Sequence, residues 1–188
     1  MSYIDRSETR AYSAGTIGAL AAGYLMSRVI GAVAWIPAIL GGASFVLLKK
    51  IVDRNVAVVA TLAAIIAQTG WFAVGIIAVP AEAAGAVPDI AINLLLLAII
   101  YFKPGYVTAG LAILWNGLGI AMVGYRLAMA PEGAGDALMT VEQRALIAHI
   151  ALRAIIIAAA AMIMIFKANP ELLPDETDDE DEEAIAGY

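Results

Sequence analysis

The sequence predicts an all-α fold, a polytopic bundle of six transmembrane helices in three hairpins, followed by a disordered acidic tail. Three observations carry that expectation. Hydrophobic residues fill 62% of the 188 positions, well above the roughly 45–50% typical of soluble domains, and mean hydropathy is +0.86. Charged residues fall in short clusters between long apolar runs, which is the pattern of spans and loops. From Glu171 onward there are nine acidic side chains and no Lys or Arg, and like charges at that density prevent a packed core. The chain therefore divides into a polar segment over 1–10, a helical domain over 11–170 and the tail over 171–188.

A spanning helix needs about 20 apolar residues. The expected spans are Ala11–Ile30, Ile36–Leu48, Val56–Val79, Ile90–Phe102, Tyr106–Met129 and Ala145–Phe166. Ala11–Leu48 as a single helix would be about 57 Å long, too long for one crossing. Pro37 would also interrupt its hydrogen-bond ladder, so a turn near Gly31–Ile36 is expected. Ala32-Val33-Ala34 resembles a signal-peptidase site, but the apolar stretch before it is longer than the roughly 7–15 residues of a leader. The second and fourth spans are short, begin after Pro37 and Pro88 and end at Lys49 and Lys103, which suggests a faint two-helix repeat. The stretch VPAEAAGAVP before the fourth span is expected to dip into the bilayer as a non-helical segment, a form tolerated where protein or water satisfies its backbone.

Orientation follows from Lys and Arg near the span ends. One side carries Arg6, Arg10, Lys49, Lys50, Arg54, Lys103 and Lys167. The other carries Arg28, Arg126 and Arg144 beside Glu82, Asp89, Glu132, Asp136 and Glu142. Both ends of the chain are therefore expected in the cytoplasm, with the protein in the cell membrane.

The absence of cysteine excludes disulfides, thiolate metal sites and cysteine nucleophiles. A single histidine, His149, does not make a His-rich metal site. No HExxH or GxSxG motif and no paired-carboxylate motif is present, so an intramembrane enzyme has little to stand on. No cofactor or metal is expected.

Two constellations remain as candidates. Gly15, Ala19, Gly23, Ser27 and Gly31 recur every four residues along the first helix. Such a ridge lets another backbone approach closely, either within the chain or as a homo-oligomer seam. The glycines of the fifth helix (Gly110, Gly117, Gly119 and Gly124) lie around its circumference and suggest packing on several sides.

The second constellation is a polar layer. At 1.5 Å per residue, Gln68 lies about 20 Å from the cytoplasmic end of its helix, Asn93 about 15 Å, Asn116 about 17 Å and Arg153 about 21 Å. His149 is one turn from Arg153 on the same face. An arginine at mid-bilayer costs from about 2.5 to above 10 kcal/mol, so Arg153 must face the bundle interior, a cavity or a partner. Asp89, about 21 Å from Lys103, is a counter-charge at matching depth. Gln68, Asn93 and Asn116 can act as interhelical glue, or the layer can line a polar path or binding site. Trp35, Tyr101 and Tyr125 read as interfacial anchors, and Trp71 and Trp115 as packing residues.

Three functions stay open on this reading. The first is a transporter or channel for a small polar solute or ion. The second is a non-catalytic subunit or scaffold that docks partners through the ridge and the tail. The third, weakest, is an intramembrane enzyme. The expected partners are the lipid bilayer and either a second copy or a different membrane protein, with no nucleic acid. The tail could dock a basic partner, confer solubility in high salt or act as a spacer repelled by anionic lipids; together with the Ala/Gly/Val-rich body it would suit a halophilic source.

Overall fold

A computed structural model of the chain describes residues 6–30, 35–52, 54–78, 83–129 and 141–170. The tail, residues 1–5 and the segments holding Gly31, Ala32-Val33-Ala34, Glu82, Glu132 and Asp136 lie outside the described residues. Among the described residues the fold is all-helical: α1 (Arg6–Ile30), α2 (Trp35–Ile51), α3 (Val56–Ala78), α4 (Ala83–Phe102), α5 (Tyr106–Met129) and α6 (Val141–Ala168).

Four stretches are long and apolar enough to cross a membrane: Val56–Ile77, Gly85–Phe102, Tyr106–Met129 and Gln143–Ala168. α2 has 17 residues, a length of about 26 Å against a hydrocarbon core of about 30 Å. In α1 the apolar portion is Gly15–Leu25.

Local sequence explains most boundaries. Pro37 falls in the first turn of α2, where a backbone N–H has no intrahelical partner to lose. Lys49 and Lys50 occupy the last turn of α2 and complement the negative end of its dipole. Asn55 caps α3, its Oδ1 accepting from the Ala57 N–H at 2.7 Å. The Thr108 hydroxyl ties the α4–α5 turn, donating to a backbone carbonyl of Lys103 or Gly105, each at 3.0 Å, and accepting from the Gly105 N–H. At the same end of the bundle the Lys167 ammonium lies 5.4 Å from the centre of the Tyr106 ring.

α1 includes the polar residues from Arg6 and so extends beyond the span expected from Ala11, because apolarity limits a membrane span but not a helix. One expectation is corrected here. α4 begins at Ala83 and runs through Pro88. The expected start at Ile90 and the non-helical dip are therefore overturned for 83–89, while 79–82 lie outside the described residues. Pro88 removes one ladder bond, to the Ala84 carbonyl, close to the helix start, where few bonds depend on it.

α3 and α6 are the inner helices. α3 packs on α2, α4 and α6; α6 packs on α5, α3 and more lightly on α1. Within the α3 span 56% of residues are buried, against 17% within the α4 span. The main core joins Leu62 and Ile65 of α3, Leu96 and Ile100 of α4, Ala109 and Ala112 of α5, and Ile156, Ala160 and Ile163 of α6. Leu94, Leu95, Leu111, Leu114, Leu118 and Ile165 point outward and are exposed. An exterior as apolar as the core is what a lipid environment requires. Because lipid tails are as apolar as leucine, such helices are held by close packing and hydrogen bonds rather than by exclusion of water.

Candidate functional site in the helix core

Polar side chains buried in this core come from α3, α4, α5 and α6. Gln68, Asn93 and Asn116 are fully buried, and Arg153 is 3% exposed. Arg153 Nη2 donates to Asp89 Oδ1 at 2.6 Å, an ion pair between α6 and α4. The Asp89 side chain keeps 20% of its surface exposed, so the pair sits at an edge of the cluster.

The remaining surface of the guanidinium is held by two residues that the sequence did not single out for this role. On α5, a Cβ built on Gly119 would collide with the Arg153 Nη1, Nε and Cζ atoms, so a larger residue there requires the guanidinium to move from this position. On α3, the Phe72 ring lies with its centroid 5.9 Å from Arg153 Cζ, within reach of a cation–π attraction. His149 stacks on the same ring, centroids 5.0 Å apart and planes at 18°, and meets Trp71 edge-on at 6.3 Å. Phe72 thus joins His149 and Arg153, one turn apart on α6, to α3.

The amides divide into two sets. Asn93 Nδ2 donates to Gln68 Oε1 at 3.2 Å, linking α4 to α3. Asn116 Nδ2 instead donates to the Ala112 carbonyl of its own helix at 2.9 Å, so it forms no interhelical bond through that atom. Asn116 and Gly119 share the buried face Ala109, Ala112, Asn116, Gly119, whose three- and four-residue steps mark one side of a helix. That spacing is a signal by which Gly119 could have been found. Gly110, Gly117 and Gly124 have open space where a Cβ would project, so these three glycines do not mark the packing on several sides of α5 that their scatter suggested. Burial follows the single face turned to α6.

Several buried polar atoms make no hydrogen bond: Gln68 Nε2, Asn93 Oδ1, Asn116 Oδ1, His149 Nδ1, and Arg153 Nε and Nη1. No known protein-family model, curated protein or solved structure matches this chain. The chemistry of the cluster must therefore be read from its own atoms. It offers amide and guanidinium donors, amide acceptors, one imidazole and one carboxylate in a low-dielectric setting. Among the described residues no three His, Asp or Glu side chains converge as a metal site would need.

The small-residue ridge lies elsewhere, against α2. Cβ atoms built on Gly15 and Gly23 would collide with Phe45 and with Ala38 and Trp35 respectively, and one on Gly42 would sit 3.0 Å from the Ala19 Cβ. Ser27 donates its hydroxyl to the Tyr24 carbonyl of its own helix. Tyr101 and Tyr125 are exposed. Trp115 has an unpartnered Nε1 and lines a shallow groove between α4 and α5.

Proposed function

We propose that this chain is a multi-pass protein of the cell membrane, with six crossings and both ends cytoplasmic, and that its buried polar cluster binds and passes a small polar solute or ion. The observation that supports this reading is unfilled hydrogen-bonding capacity on five neighbouring buried or half-buried residues: Gln68, Asn93, Asn116, His149 and Arg153. Each buried polar group left unpaired costs about 1–3 kcal/mol. Side chains kept only to glue helices together are expected to close their own bonds. A cluster that leaves two of three guanidinium nitrogens unpaired is suited to exchange partners with a transient guest. Arg153 and Asp89 then form the resting contact, and the guest competes for the guanidinium.

The alternative is a non-catalytic subunit that docks partners through the ridge and the tail. The ion pair suits that reading equally. Packing of Gly15, Ala19 and Gly23 on α2 weighs against the ridge as a free docking surface and leaves only the tail for that role.

The test is permeation by purified protein in liposomes, following light scattering under gradients of urea, glycerol or potassium chloride. The parent should accelerate equilibration of at least one of these over empty liposomes. A folded Arg153→Met/Asp89→Leu variant should lose that acceleration. Parent permeability equal to that of empty liposomes for all three probes would favour the subunit reading.

A further inference from the structure

Away from the polar cluster, a groove of about 590 Å³ lies on the outer face of the α1–α2 hairpin. Its volume is within the roughly 300–1,000 Å³ of ordinary ligand sites. Ala19 and Gly42 form a floor of close-packed small residues. Leu20 and Leu47, 54% and 58% exposed, stand along its walls. Trp35 and Lys50, first and penultimate residues of α2, also line it and are separated by about 22 Å along the helix. The lining is thus apolar for most of its length and cationic at one end only. Lys49 adjoins that end, and Arg54, just beyond it, is exposed.

We infer that this groove is a binding site for one anionic glycerophospholipid, its acyl chain against Ala19 and Gly42 and its headgroup phosphate at Lys50. The inference rests on the α1–α2 hairpin lying in the bilayer and not on the polar cluster. Three features select this occupant. The floor of small residues admits a flexible hydrocarbon chain to van der Waals contact, where dispersion accumulates. A single cationic end gives an amphiphile one orientation. Basic pockets between helices are also where anionic headgroups are recognised, each Lys or Arg near the surface contributing about 1 kcal/mol.

The test uses the full chain in mild detergent, supplemented with phosphatidylglycerol or phosphatidylcholine. Retained lipid is counted by native mass spectrometry, and stability is read from the melting temperature. One phosphatidylglycerol per chain should be retained and should raise Tm more than phosphatidylcholine does. Lys50→Ala should weaken phosphatidylglycerol retention about fivefold, the equivalent of about 1 kcal/mol, and phosphatidylcholine retention less, because the choline cation already offsets its phosphate. Ala43→Phe, at an exposed position in the groove, should reduce retention of both lipids. Equal retention and equal Tm for the two lipids on the parent chain would overturn the assignment without any variant. Phosphatidylglycerol retention unaffected by Ala43→Phe in a folded protein would move the lipid to the open basic surface and overturn the groove. A dimer that Ala43→Phe converts to monomer would give the groove to a second copy, again overturning the proposal. None of these outcomes depends on permeation, so the solute-path reading stands or falls separately.

Discussion

Arg153 Nη2 and Asp89 Oδ1 meet at 2.6 Å, joining α6 to α4 across 64 positions of sequence. α4 is the least buried of the four apolar spans, so this contact ties a peripheral helix to an inner one. Removing one member leaves the other charge buried and unpaired, which costs about 3–5 kcal/mol. Arg153→Met and Asp89→Leu should therefore each destabilise the fold strongly, Asp89→Leu more so because it strands the deeply buried Arg153, whereas Asp89 left alone retains some exposure. The double variant should recover most of the loss. Denaturant titration of the parent, both singles and the double in mixed micelles gives the coupling energy. Strictly additive losses would show that the two charges do not support each other.

Gly119 gives a second prediction on the same group. Its missing side chain is the space that the Arg153 guanidinium fills. Gly119→Ala should cost about 1–3 kcal/mol by overpacking, although Ala is the better helix former by about 1 kcal/mol. In an Arg153→Met background the flexible thioether can move aside, and the penalty should shrink or reverse. The same unfolding titrations check it. An identical cost in both backgrounds would mean that Gly119 is required by backbone approach rather than by the arginine.

How much of this was legible in the sequence depends on the kind of constraint. Arg153 and Asp89 could be paired by counting residues, because rise per residue is constant and a mid-membrane charge demands a partner. Gly119 and Phe72 could not be picked out the same way. Spanning helices are apolar all round, and lipid is as apolar as a protein core, so hydrophobicity does not say which face turns inward. For α5 that information sits only in the spacing of Ala109, Ala112, Asn116 and Gly119. Pro88 misplaced the start of α4 because a proline near a helix end removes little, whereas the same residue in mid-helix would have ended it. The partner of the ridge was open from sequence, since a four-residue repeat of small side chains fits any close neighbour.

That partner sets a third prediction. A Cβ on Gly23 would come within 2.8 Å of both Ala38 and Trp35, whereas Gly18 has nothing within 4 Å of the same built atom. Gly23→Leu should push α1 off α2 and lower the yield of folded protein, while Gly18→Leu, five residues earlier, should be tolerated. Melting temperature and elution volume in detergent report both. If Gly18→Leu is the damaging variant and changes the oligomeric state, the opposite face of α1 carries an intermolecular contact.

The last prediction concerns the two N-terminal helices, whose crossing separates six spans from the four of α3 to α6. Seven Lys and Arg residues fall on one side of that topology and three on the other, the asymmetry that orients multi-pass proteins. The same asymmetry survives if α1 and α2 lie on the membrane, because Lys50 and Lys103 stay on one side either way. Only the α1–α2 connection discriminates. The chain has no cysteine, so single introduced thiols can be labelled in intact cells with a membrane-impermeant maleimide, with no background from the protein. Ala32→Cys and Gly133→Cys should label without permeabilisation, and Ser2→Cys only after it. Labelling of Gly133→Cys but not of Ala32→Cys from outside would reduce the crossings to the four helices α3 to α6. α1 and α2 would then lie on the cytoplasmic face, where the ridge that joins Gly15 and Gly23 to α2 would still pack but would no longer be bathed in lipid. Labelling of Ser2→Cys from outside would invert the whole topology and remove the charge rule as its explanation.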